Sequence, residues 1–184
     1  MTFSSNAYGP SPSYGFFLLY IIIFLPIIKN LKSTNARLKG LSSEILSFLF
    51  SMLHRTLATK ERLHKTNQEN SAICNQCDKG EIDDYEHALS SCTKSEPCFN
   101  WMMTGLRAYN RDLTADKVLH LDIVPDNPLP HGSLPLVWFA GNTLHHLWKL
   151  RSSGKQCHLY VIRSELEAEI SILRKSNMLI CASF

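Results

Sequence analysis

The chain has 184 residues, of which 45% are apolar and 19% charged, with a formal net charge of +3. That length excludes a complete polymerase, a kinase or a (β/α)₈ enzyme, and leaves room for one domain with helical appendages. The apolar share argues against wholesale disorder, and near-neutrality of the whole names no partner.

Residues 1–13 are rich in Ser, Pro and Gly and are expected to be disordered. Residues 14–41 are apolar and then basic. No charge occurs in residues 2–28, whereas Lys29, Lys32, Arg37 and Lys39 follow. As a helix, residues 14–28 would reach about 22 Å at about 1.5 Å per residue. A bilayer core needs about 30 Å, and Pro26 breaks the end of the run. A secretory signal would carry its basic residues before the apolar stretch. The segment is therefore read as a buried segment, with a short membrane helix, which would leave the remainder in the cytosol, as the alternative. The expectation for the chain is an intracellular location, nuclear or cytoplasmic, with membrane association as the alternative.

Residues 42–53 have amphipathic helical spacing, with Ser43 as the expected cap and Ile45, Leu46, Phe48, Leu49, Met52 and Leu53 apolar. Thr59 predicts the start of a second, short helix bearing Arg62 and Leu63. A polar loop, residues 67–71, leads into a cysteine-rich stretch. A helix beginning at Tyr85 would carry His87 toward Cys92, and residues 99–108 predict another. Residues 109–135 read as a connector, because Pro125, Pro128, Pro130 and Pro135 punctuate its second half. Residues 136–150 predict a helix, with Trp138, Leu144, Leu147 and Trp148 apolar. In the last helix Val161, Ile162, Leu166, Ile170 and Leu173 share one face. No convincing strand is visible.

Charge is segregated. Residues 29–65 hold eight bases against Glu44 and Glu61, whereas residues 66–100 hold seven acids, Asp83 among them, against Lys79 and Lys94. A basic segment thus precedes an acidic one.

Four of the six cysteines crowd into residues 74–98, with His87 among them. Cys74 and Cys77 form a CxxC that can grip one ion from a tight turn. His87 and Cys92 can close a tetrahedron around it, with Cys98 as a spare for Cys92. Three thiolates and an imidazole favour Zn²⁺ over Mg²⁺ or Ca²⁺. Such a crowd suits a metal site in a reducing compartment better than a disulfide framework. A closed Cys₃His set leaves no open coordination position, so the expected zinc is structural and the chain is not an enzyme. The His-x-Glu then Pro-Cys-x-x-Cys order of zinc deaminases is absent. His145 and His146 read as a surface pair or as packing residues, in preference to metal ligands. The predicted fold class is mainly α: a small zinc-stapled helical domain, residues 42–108, with appended C-terminal helices in residues 136–184. Leu57, Leu63, Leu89, Trp101 and Leu106 are expected to pack around the metal.

One run of residues carries more. Leu57, Thr59, Arg62 and Leu63 are followed by Cys74 and Cys77, then Asp83, Glu86 and His87, then Cys92 and Trp101. This resembles the reverse-transcriptase zinc-binding domain found C-terminal to the polymerase in non-LTR retrotransposon polyproteins. The resemblance covers about residues 42–105, and Asp83 stands where the family usually has Glu. No aromatic-x-Asp-Asp of a polymerase and no endonuclease motif accompanies it. The resemblance therefore implies a truncated retroelement protein without polymerase activity. It also implies RNA or DNA as partner and no small-molecule substrate. Because the metal segment is acidic, phosphate contacts would come from the bases before it, with Arg55, Lys60, Arg62 and Lys65 the nearest candidates. Trp101 or Tyr85 could stack on an unpaired base. The alternative is a structural or protein-interaction remnant.

Overall fold

Ser42 has an extended backbone, and its side-chain oxygen accepts a hydrogen bond from the Ile45 amide at 3.3 Å. Helix α1 therefore runs Ser43–Leu53. Ser42 is its cap instead of Ser43, because Ser43 has already entered the helix. The computed structural model describes residues 41–129, 135–155 and 157–175. The start expected to be disordered, the apolar run and Lys29, Lys32, Arg37 and Lys39 lie outside the described residues. Among the described residues, no helix is long and apolar enough to cross a membrane.

After α1 the chain reverses through Arg55, which sits at φ 54° in the left-handed region. Helix α2, Lys60–Lys65, follows its Thr59 cap, whose hydroxyl accepts from the Arg62 amide. Tyr85 and Glu86 begin a helical turn that widens into a π turn, His87–Ser91. Helix α3, Glu96–Arg107, starts earlier than the apolar spacing predicts. Pro97 lies in its first turn, where a missing N–H costs little. The supposed connector contains helix α4, Ala115–Leu119, capped by Thr114. Val118 and Leu119 of α4 are buried, as are Leu113 and Ile123 beside it, so this stretch contributes to the core. Helices α5, Leu136–Ser152, and α6, Leu159–Lys175, complete the order.

Helix α5 is the centre of the fold. Every residue from Leu136 to Leu147 is buried. A helix that is buried all round needs neighbours on all sides, and α5 has α1, α3, α6 and the π turn against it. At Gly141 a Cβ atom would lie 3.1 Å from Leu49 Cδ1, so the glycine admits α1 close to α5. The polar groups of α5 are partly absorbed by its own backbone. Asn142 Nδ2 donates to the Trp138 carbonyl and Thr143 Oγ1 to the Phe139 carbonyl, each at 2.8 Å. Helix α6 buries Ile162 and Leu166 on the face its periodicity predicts.

The fold is mainly helical. The only β pairing among the described residues is one isolated antiparallel bridge, Ile73 with Ile82. Leu57, Leu89 and Leu106 are core residues, and Trp101 packs edge-on against Phe139 at 5.5 Å. Leu63 departs from expectation: it is half-exposed and outside the core, because α2 buries no residue.

Candidate metal centre

The Ile73–Ile82 bridge pinches off a loop that starts with Cys74 and ends with Glu81. The Cys74 amide donates to the Glu81 carbonyl at 2.9 Å, and the Asp83 amide to the Ala72 carbonyl at 2.8 Å. Gly80, at φ 66°, supplies the left-handed turn that closes the loop. Within it the Gln76 amide donates to Cys74 Sγ at 3.4 Å, curling the CxxC around its first sulfur.

His87 and Cys92 come from the π turn. They are five residues apart, which on an ideal α-helix is roughly 140° around the axis. Here the Cys92 amide donates to the His87 carbonyl at 2.8 Å, an i+5 bond. The wider turn returns Cys92 to the side that His87 faces. Single π turns of this kind recur at functional sites.

The four donor atoms of Cys74, Cys77, His87 and Cys92 all lie within 4.8 Å of one another. Cys74 Sγ is 4.0 Å from Cys92 Sγ, and Cys77 Sγ is 3.4 Å from His87 Nε2. A tetrahedral zinc with Zn–S bonds of about 2.3 Å separates its sulfurs by about 3.8 Å. The set therefore fits a tetrahedral Zn²⁺ in both donor chemistry and spacing. Cys74, Cys92 and His87 are buried and Cys77 is half-buried. Cys98 does not join them. Its sulfur is 2.9 Å from Cys157, and the metal group is complete without it.

Residues around the donors orient them. His87 Nδ1 lies 2.7 Å from Glu81 Oε2, so Nδ1–H donates to the carboxylate and Nε2 is left for the metal. The His87 amide is held by Asp84 Oδ1 at 2.7 Å. Lys79 reaches from the loop to the Ser91 carbonyl at 2.6 Å, tying the CxxC to the π turn.

The largest departure from the sequence reading is Arg151, at the end of α5. Its guanidinium donates to Cys92 Sγ at 3.3 Å, to Cys74 Sγ at 3.4 Å and to Asp83 Oδ1. Arg151 is only 8% exposed. Burial alone would lower its pKa, but the bonds to Cys74 and the charge of Asp83 raise it, so the cation persists. Burial likewise works against a Cys74 thiolate. Arg151 and the Gln76 amide more than offset it, and the pKa falls to about 6. Burial pushes the Cys77 thiol up. Gln76 Nε2 also donates to the Arg151 carbonyl at 3.2 Å, a second tie between loop and α5.

Asp83 is not the phosphate-repelling surface charge that the segment count implies. It is 5% exposed. One carboxylate oxygen meets Arg151, the other accepts from the Lys60 amide at 3.2 Å, and its carbonyl accepts from the Glu61 amide. Asp83 thus joins α2, the metal loop and α5.

The proposed phosphate-binding residues divide. Arg55, Arg62 and Lys65 line one cleft of about 350 Å³, but Glu61, Asp84 and Glu86 line it too. Lys60 is not among its lining residues. Tyr85 is buried and stacks beneath the Arg55 guanidinium, 5.3 Å from the ring centroid, so it is not free to take a base. Of the two readings of His145 and His146, the structure shows packing: both are buried, facing Glu44 and Glu169 respectively.

Compared with family models, curated proteins and solved structures, the chain finds no match in any of the three. The site therefore rests on its own geometry: a buried Cys₃His group compatible with a zinc-binding module.

Proposed function

We propose that the chain is a non-catalytic, retroelement-derived zinc-binding module that contacts RNA or DNA through the face around Arg55 and Arg62. The observation that carries this reading is the Cys74, Cys77, His87 and Cys92 set, whose four donor atoms lie within 4.8 Å of one another and would fill all four positions of a tetrahedral metal. A metal so enclosed supplies folding energy and offers no position for water or substrate. No small-molecule substrate belongs to this reading. The retroelement origin is supported by the motif order from Leu57 to Trp101.

The nucleic-acid half is supported by the clustering of Arg55, Arg62 and Lys65 on one cleft, which Asp84, Tyr85 and Glu86, just before the π turn, also line. Arg forks match phosphate oxygens, and the contacts would tolerate any base sequence. The test is binding of single-stranded RNA and of DNA by the zinc-loaded chain across a salt series. Each phosphate contact removed from a single strand flattens the log–log salt slope by about 0.7. Arg55→Ala with Arg62→Ala is expected to weaken binding and flatten the slope. Binding that ignores both substitutions and salt would remove the nucleic-acid half.

One observation favours the protein-interaction reading as second choice. The cleft balances its three bases with three acids, and the exposed flank of α6 carries Tyr160 at 71% and Ile172 at 65% exposure. Under that reading zinc only staples the core, and α6 meets a protein partner.

A further inference from the structure

Two cysteines of the described residues stand apart from the metal donors. Cys98 lies in the first turn of α3 and is 1% exposed. Cys157 lies two residues before α6 and is half-buried against the core. They are 59 positions apart in the chain, yet their sulfurs are 2.9 Å from one another. That is only about 0.9 Å beyond a sulfur–sulfur bond of about 2.04 Å. No third ligating side chain joins them among the described residues, so the pair is not a second metal site. Helices α3 and α6 pack against each other, which holds the two thiols in register.

We infer that Cys98 and Cys157 are a disulfide-forming pair, which a small-molecule disulfide oxidant such as oxidised glutathione joins, tying the start of α6 to the start of α3. Cys157, the half-exposed partner, is the one the oxidant reaches. Its sulfur attacks one sulfur of the oxidant, and the first glutathione leaves as a thiolate that takes up the Cys157 proton. Cys98 then attacks the Cys157 sulfur of the mixed disulfide. The second glutathione leaves and takes up the Cys98 proton. The protein loses two hydrogens, one protein disulfide forms, and one glutathione disulfide is reduced to two thiols. Cys74 and Cys92 are buried away from the oxidant, and a bound zinc would further engage the sulfurs of the candidate ligands.

The closed loop spans α3, α4 and α5. Closing so long a loop restricts the unfolded chain, which is expected to raise the melting temperature by roughly 5–15 °C.

The test uses the full zinc-loaded chain, incubated with excess oxidised glutathione, alkylated under denaturing conditions and digested. The expected result is a protein lighter by two hydrogens, a Cys98–Cys157 cross-linked peptide and unchanged zinc content. Melting should shift upward and dithiothreitol should reverse it. Cys157→Ser should fold, bind zinc and show no shift with oxidant. A glutathione adduct that persists on Cys157 while Cys98 stays alkylatable would overturn the inference. So would a bridge from Cys157 to Cys181, or one to a metal-ligand cysteine with zinc release.

Discussion

Arg151 is the residue on which the centre and the fold meet. Its cation faces two ligand sulfurs and the buried Asp83 carboxylate, and each of these needs it. Removing one partner of a buried pair strands the other charge, at a cost of about 3–5 kcal/mol. Arg151→Met and Asp83→Asn should each destabilise the zinc-loaded protein by about that much in denaturant titrations. The double variant should lose clearly less than the sum; strictly additive losses would show that the two side chains do not act on each other. Glu81 acts differently, because it is half-exposed and reaches the metal only through His87. Glu81→Gln should leave the melting of the zinc-loaded form nearly unchanged yet weaken zinc affinity by about tenfold, read by chelator competition. The candidate donor cluster was legible in the sequence because its four residues fall within residues 74–92, where spacing alone carries the signal. Arg151 was not. It is 68 positions from Asp83 and, read along the chain, is one more base at a helix C-terminus, where bases are common.

The elements show the same division between local and distant causes. α1 and α6 announce themselves by apolar periodicity, α5 by its concentration of apolar residues, and Thr59 announces α2 by its capping chemistry. The π turn was not legible, because its first residues read as an ordinary helix and only the metal-side placement of Cys92 distinguishes it. α4 was hidden by its five-residue length and its proline-rich neighbourhood. α5 carries a further consequence through His145, whose ring lies tilted at 54° against Phe48 with centroids 5.4 Å apart. Burial lowers its pKa below the ordinary 6.5, against the opposing pull of Glu44. The unfolded chain therefore takes up a proton that the folded chain resists. The stability this contributes is complete above about pH 6.5 and is lost as pH falls through the folded value. Acid also protonates the metal ligands, so the informative quantity is a difference between proteins. Over the interval below pH 6.5, His145→Gln should lose less stability than the parent chain, the zinc-linked loss being common to both. Parallel curves for the two proteins would show that His145 titrates alike in both states.

At the scale of the molecule, the centre is a joint between segments distant in sequence. The metal loop binds α2 through Asp83, the π turn through Lys79, and the end of α5 through Arg151 and Gln76. Residues 136–184 read as appended helices in the sequence, and α5 and α6 do follow the smaller helical part. α5 is at the same time the core helix, and its Arg151 reaches the candidate ligand sulfurs. Metal loss should then loosen more than the loop. Apparent zinc-binding energies of about 10–16 kcal/mol in finger peptides are folding energies. The central claim is that Cys74, Cys77, His87 and Cys92 together hold one zinc that the fold requires. Zinc content of the purified chain, measured by elemental analysis beside Cys92→Ser and Cys98→Ser, tests it most directly. One zinc per chain is expected in the parent and in Cys98→Ser. Less than a tenth of that is expected in Cys92→Ser, with a matching loss of helical circular dichroism. Full zinc occupancy in Cys92→Ser, or none in the parent purified with zinc present, would contradict it.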